Sequence, residues 1–305
     1  MHSFDYHEPT TIGAAVGLLG ELGDDATLIA GGTALALLLK EGLIRPDHLI
    51  GLRRIAELSG IAALDDGGLE IRALTSHRQA ETSALVSAYC PALAETFGTV
   101  ATIRIRNQGT IGGNLAHADP AQDPPPMLLA LAADVVLAGP AGERTVPLDG
   151  FFVDYYETTL AADEVLVAVR LPPLPAAART AYVKFLPRSQ SDYATASVAV
   201  FLELDADGRC RDLRIGIGAA SSTPIRAKVV EDALRGERLA PGLVRAAAAL
   251  IEPEIDPLDD ARGSSAYKRS MTREWIERTI LDLARRPGPA TAAGDRPFRT
   301  AAGIR

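Results

Sequence analysis

Residues 110–126 read TIGGNLAHADPAQDPPP, in a chain otherwise rich in Ala, Leu and Val. Two adjacent glycines, Gly112 and Gly113, precede Asn114; Asp119 and Asp123 follow, and Pro124 to Pro126 close the stretch. Glycine admits conformations and close approaches that a Cβ forbids. Thr110 and Asn114 add short hydrogen-bonding side chains, and Asp119 and Asp123 are acceptors suited to the hydroxyls of a ribose or ribitol. The prolines stiffen the exit before an apolar helical run. A Gly-Asn hairpin turn followed by an Asp-Pro loop accounts for the same letters without a ligand. So many special residues with no evident packing purpose favour the wall of a binding site. Asp119 either contacts that ligand or shapes the turn before Pro120.

A second glycine pair lies upstream in LIAGGTALALLLK, residues 28–40. Thr27 to Ile29 read as a strand that meets Gly31 and Gly32, and Thr33 opens a helical run to about Lys40. Strand, glycines and helix in that order leave backbone amides free where an anion, typically a phosphate, is favoured. Neither GxGxxG nor GxxxxGKS/T occurs, so neither a dinucleotide fingerprint nor a P-loop is indicated. Two such turns in one α/β unit suggest a diphosphate held between two backbone clamps.

Outward from these turns, the pattern predicts a Thr-capped helix over 10–22 and a strand over 48–53. A hairpin joins 60–64 to 68–74 across DDGG, and helices over 75–100 break at Pro91. A helix over 126–134, a hairpin over 134–148 and a strand over 164–172 follow. The Pro/Ala-rich stretch 172–179 marks a boundary. Beyond it, strands near 180–186, 196–205 and 211–220 precede helices near 224–235, 241–251 and 264–285, the order of an α+β layer domain. The Pro/Gly/Ala-rich tail reads as disordered.

The 305 residues are 47% hydrophobic, enough for a sizeable core. The net charge of −8 speaks against a nucleic-acid partner, which needs a basic face. The most basic stretch, Arg262 to Arg286, is interrupted by Glu274, Glu277 and Asp282 and reads as a solvated or interface helix. Cys90 and Cys210 form no CxxC and support neither a disulfide scaffold nor an iron–sulfur site. The N-terminus lacks the basic and apolar regions of a signal peptide. No apolar run reaches the roughly 18 residues of a spanning helix. A soluble, cytoplasmic chain is expected. The five histidines show no metal-like spacing; His77 and His117 lie near the glycine turns as polar loop residues or access-path contacts.

AGGT at 30–33, RNQGTIGGN at 106–114 and DPAQDPP at 119–125 together resemble the FAD-binding medium subunit of molybdenum hydroxylases, the carbon monoxide dehydrogenase and xanthine dehydrogenase family. The likeness runs from about residue 4 to 285 and includes DEVLVAVRLP, AYVKFLPRSQSDYATASVAV, GIGAASSTPIRA and SSAYKRSMTREWIERTI. It implies an α+β fold: an α/β FAD-binding domain of the vanillyl-alcohol-oxidase/PCMH type, with two subdomains, over 1–175. A smaller C-terminal α+β domain of carbon monoxide dehydrogenase flavoprotein type follows over 176–286, with an antiparallel sheet and helices, and 287–305 form a tail.

The resemblance also implies the site. Ala30, Gly31, Gly32, Thr33 and Ala34 face the FAD diphosphate, flanked by Leu28, Ile29 and Leu35. Thr110, Ile111, Gly112, Gly113 and Asn114 form the second turn. Asp123 matches an FAD-contacting aspartate, Leu166 an apolar contact, Lys184 a lysine near the flavin ring and Tyr193 a tyrosine against the isoalloxazine. A lysine there can stabilise charge on the reduced ring, and a tyrosine can stack on its face. The blander readings are a solvated strand-end lysine and a half-buried core tyrosine. The family's first turn often continues with His-Ser or Gln-Ser; here Thr33-Ala34 moves the hydroxyl by one position and leaves the backbone contacts. Two cysteines cannot hold the extra cluster that four inserted cysteines bind in some members.

By the same resemblance the chain is an electron-transfer subunit of a multi-subunit molybdenum enzyme, with no catalytic side chain and no metal of its own. Its partners are a [2Fe-2S] small subunit and a molybdopterin large subunit, as a dimer of heterotrimers that feeds an external acceptor. A stand-alone FAD-dependent oxidase or reductase of the same fold is the alternative, and a scaffold that has lost its cofactor is another.

Overall fold

The computed structural model describes residues 3–186, 189 and 191–286; the expected disordered tail at 287–305 lies outside the described residues. Strand β1 (Asp5–His7) leads to helix α1 (Ile12–Leu22), strand β2 (Ala26–Ile29), helix α2 (Leu35–Glu41) and strand β3 (His48–Gly51). The Thr cap forms: Thr11 is extended, and its Oγ1 accepts the Ala14 amide at 3.2 Å. The three strands make a parallel sheet in the order β1-β3-β2.

Next come β4 (Ile61–Ala63), β5 (Leu69–Arg72), α3 (His77–Thr82), α4 (Ala84–Tyr89), α5 (Pro91–Gly98), α6 (Ile103–Gln108), α7 (Ile111–His117) and α8 (Pro124–Ala130). Strands β6 (Asp134–Gly139), β7 (Gly142–Pro147), β8 (Phe152–Asp154), β9 (Glu157–Thr158) and β10 (Val165–Leu171) complete the first part. Both expected hairpins form, and β4-β5-β10-β6-β7 is an antiparallel five-stranded sheet. Ala15, Val16 and Leu19 of α1 share a core with Ile50 of β3, Val136 of β6 and Val167 of β10, which ties the two sheets together.

Beyond the Pro-rich stretch, β11 (Arg179–Phe185), β12 (Ala196–Leu204), β13 (Cys210–Gly218) and β14 (Ile225–Arg226) form an antiparallel sheet in chain order. Helices α9 (Lys228–Leu234), α10 (Pro241–Ala249) and α11 (Ser265–Arg285) follow it and share a core with the sheet. Of the solvated and interface readings of 262–286, the solvated one is corrected here. Ile276, Ile280 and Leu283 of α11 are fully buried, and the buried Lys268 Nζ meets the Leu258 carbonyl and Asp260 at 2.9 Å each. Among the described residues no helix is long and apolar enough to cross a membrane.

Helix α8 joins the two parts. Pro124 to Pro126 form its first turn rather than a stiff exit preceding it. The first amides of a helix have no intrahelical acceptor, so prolines there remove nothing. All seven residues of α8 are buried. Its N-terminal end lies so close to β13 that a Cβ on Gly216 would sit 1.9 Å from the Pro126 carbonyl oxygen.

Candidate cofactor site

A cavity of about 820 Å³ opens between the two glycine turns. Every residue the sequence assigned to the site lines it except Ile111. That side chain is fully buried in the core beneath the second turn, so the expected cofactor contact through it is corrected. Lys184 and Tyr193 reach the cavity from the C-terminal side, and Val165 and Leu166 from β10.

The glycines serve the protein's own packing first. A Cβ on Gly31 would lie 2.0 Å from the Gln108 carbonyl oxygen, so the two turns touch backbone to backbone. A Cβ on Gly112 would lie 2.6 Å from the Ala73 Cβ, which seats α7 against the end of β5.

The second turn is not an open loop. Thr110 caps α7, and its Oγ1 accepts the Gly113 amide at 3.1 Å. The amide of Ile111 donates to Thr75 O at 3.0 Å, that of Gly112 to Ala73 O at 2.8 Å and that of Asn114 to Thr110 O at 2.9 Å. The expected clamp of free amides is therefore absent from 111–114. The first turn is the opposite case. The helix starts at Leu35, two residues later than expected, and Gly32 takes φ +69°. Among the described residues the amides of Gly31, Gly32, Thr33, Ala34 and Leu35 have no acceptor.

The Asp123 carboxylate is engaged within the protein. Its Oδ1 accepts from Tyr182 Oη at 2.7 Å and its Oδ2 from Lys184 Nζ at 2.9 Å, and Nζ also donates to the Thr99 carbonyl at 3.0 Å. Burial pushes the Asp123 carboxyl up from its ordinary range, and the Lys184 charge and the two hydrogen bonds pull it back. The expectation of an aspartate free for sugar hydroxyls becomes one half of a buried ion pair.

Three residues lining the cavity carry a buried polar atom with no partner among the described residues: His77 Nδ1, Asn114 Oδ1 and Gln122 Oε1. Each such atom costs about 1–3 kcal/mol. Three around one cavity call for a polar ligand. His77 lies between the turns: its amide donates to Gly109 O at 2.9 Å. Burial, then the Arg106 charge, lowers its pKa to about 4, so the ring is neutral near pH 7.

At the mouth, Tyr193 is 43% exposed with the Arg262 guanidinium 5.7 Å from its ring centre. Burial, then the Asp119 charge, raises its hydroxyl to about 12. Tyr156 lies against His117 at 5.2 Å and donates to Asp119 Oδ2 at 3.4 Å. Asp119 Oδ1 accepts the Ala121 amide at 2.9 Å, so this residue shapes its turn and also lines the cavity.

Gln122 and Tyr182 were not singled out from the sequence. Nothing in AQDPP marks Gln122. Tyr182 did carry a signal: two residues from Lys184 on one strand, it faces the same side.

The fold and the cavity define a two-part α+β protein with a cofactor-sized site lined by residues of both parts. The family model described as the FAD binding domain in molybdopterin dehydrogenase matches residues 2–174, and that of the CO dehydrogenase flavoprotein C-terminal domain matches 181–283. The chain belongs to this family of FAD-binding subunits of molybdopterin dehydrogenases. It is 38% identical over 277 residues to the carbon monoxide dehydrogenase medium chain of Hydrogenophaga pseudoflava, covering 91% of this chain and 96% of that one. It is 36% identical over 293 residues to the 6-hydroxypseudooxynicotine dehydrogenase complex subunit alpha of Paenarthrobacter nicotinovorans, covering 96% and 98%. The structure of reconstituted CO dehydrogenase from Oligotropha carboxidovorans superposes with a TM-score of 0.89 at 36% identity, covering 93% of this chain and 99% of that one.

The residues present fit FAD. Free amides suit a diphosphate, the three unpartnered polar atoms need a polar ligand, and the volume lies within the range of about 300–1,000 Å³ of ligand cavities.

Proposed function

We propose that this chain is the FAD-binding electron-transfer subunit of a cytoplasmic, multi-subunit molybdenum hydroxylase or dehydrogenase. It takes electrons from a [2Fe-2S] subunit and passes them to an external acceptor, with molybdopterin held in a large subunit and the complex a dimer of heterotrimers. The observation that carries this reading is the single cavity around which the glycine turns, Asp123, Leu166, Lys184 and Tyr193 converge.

When bound, FAD supplies the conversion between one- and two-electron transfer; the protein supplies binding, orientation and electrostatics. In this reading the amides of Gly31 to Leu35 hold the diphosphate. The second turn backs the first and presents the Asn114 carboxamide. Lys184, ion-paired with Asp123, would present its ammonium beside the ring, and Tyr193 would lie against the ring at the mouth. The domain division at 175/176 puts Lys184 and Tyr193 on the second unit, so the site is complete only when both units dock.

Purification of the chain from its native host, with spectra and metal analysis, tests the reading. Flavin absorbance near roughly 450 nm that bleaches on reduction, with an iron–sulfur and a molybdenum subunit co-purifying, is expected. A chain that purifies alone with FAD and turns over an organic substrate supports the stand-alone oxidase instead. A colourless chain that cannot be reconstituted with FAD contradicts both.

A further inference from the structure

We propose that Tyr182 is a positioning residue that acts on the cofactor through Asp123 and Lys184. The inference rests on the FAD reading above and assigns a role to a residue outside the cavity lining. Tyr182 and Lys184 extend from one face of β11 and converge on the two oxygens of Asp123, which belongs to the other part of the chain. Lys184 Nζ has three hydrogens; Asp123 takes one and the Thr99 carbonyl takes another, and the side chain lines the cavity with 6% exposure. The charge offered to the cavity is thus set by whether Asp123 is ionised.

With Asp123 ionised, the pair is neutral. With Asp123 protonated, Lys184 is left with an uncompensated charge at the cavity wall, which favours the more negative, reduced ring. The Tyr182 hydroxyl donates a stronger hydrogen bond to the ionised form than to the neutral acid and so holds the carboxyl's proton affinity down. Burial, then the Asp123 charge, raises the Tyr182 hydroxyl well above its ordinary range, so it stays a donor. Among the described residues the titratable groups that face Asp123 are Tyr182 and Lys184 from β11 and, more weakly, Tyr193 from the segment before β12.

The test is the flavin midpoint potential against pH in the assembled enzyme, for wild type, Tyr182→Phe and Asp123→Asn, each first scored for FAD per chain. In Tyr182→Phe the carboxyl titrates at higher pH, so the bend in the line moves up. At a pH between the wild-type and Tyr182→Phe bends the ratio of reduced to oxidised flavin at a fixed potential rises about tenfold, or about 30 mV for a two-electron couple. Asp123→Asn, whose charge is fixed, lies above wild type and lacks the bend that the carboxyl contributes. A Tyr182→Phe line that superposes on wild type overturns the proposal. So does a folded Tyr182→Phe chain that no longer retains FAD, because that is loss of anchorage rather than a changed ring environment. Should Tyr182→Phe fail to fold, an Asp123→Asn line with the wild-type bend overturns it. Wild-type enzyme without FAD is a separate result and refutes the functional reading instead.

Discussion

The two glycine turns look alike in sequence and do different work. Each sets a Gly-Gly pair at the start of a seven-residue helix: Gly31-Gly32 precede α2, and Gly112-Gly113 lie in the first turn of α7. In the second, Thr110, Thr75 and Ala73 consume every amide from Ile111 to Asn114. In the first, five consecutive amides from Gly31 to Leu35 have no acceptor among the described residues. One turn is a structural seat and the other an open donor set, held in place because Gly31 rests on the Gln108 carbonyl. A Gly-Gly motif therefore identifies where backbones come close, and the bonding of its amides identifies which of them a ligand can use.

The comparison is broken most severely at the contact itself. Gly31→Ala puts a methyl 2.0 Å from a backbone oxygen. Such overpacking costs about 3 kcal/mol or more when the neighbour cannot give way. Flavin per chain falls to near zero and the urea midpoint drops, whereas Gly113→Ala meets the Thr110 Oγ1 side-chain atom at 2.9 Å and the Ala30 Cβ at an ordinary 3.7 Å and keeps most of both.

His77, wedged between the turns, gives the next effect. Its folded pKa of about 4 lies below the unfolded value of 6.5, so the unfolded chain binds the proton first. Stability is level above pH 6.5 and falls by about 3 kcal/mol as the pH drops to 4. Denaturant titrations of the apo chain across that window show this slope, and His77→Asn lacks it.

Ala34→Pro sharpens the comparison by deleting one amide from the open set. Ala34 has φ −92°, near the angle of about −65° that proline imposes, and its amide has no acceptor to lose. Isothermal titration is expected to show FAD binding about tenfold to a hundredfold weaker, the value of one charged hydrogen bond, with the melting temperature nearly unchanged. The smallest effect is on the seat. Thr110→Val removes the α7 cap and costs about 1 kcal/mol in chemical denaturation, with FAD affinity changed less than in Ala34→Pro.

Much of this molecule was readable locally. The Thr11 cap, both hairpins and the run of three strands before three helices follow from patterns within a dozen residues. What escaped depended on distance in the chain. The acceptors that saturate the second turn, Ala73 and Thr75, lie far from it in sequence on the segment after β5. Asp123 reads as a free acceptor until the fold brings Lys184, 61 residues later, to its carboxylate. The burial of α11 was hidden by the many charges that share the helix with Ile276 and Ile280. The resemblance to a known family pointed to residues that line one cavity, Ile111 apart, but it could not say which of their hydrogen bonds were already spent.

Amide hydrogen exchange on the purified chain, with and without FAD, tests the central claim most directly. Peptides spanning 30–38 should exchange fast without FAD and become strongly protected with it, while 109–117 should be protected in both states. FAD binding that leaves 30–38 unprotected, or that protects chiefly 109–117, would contradict the account.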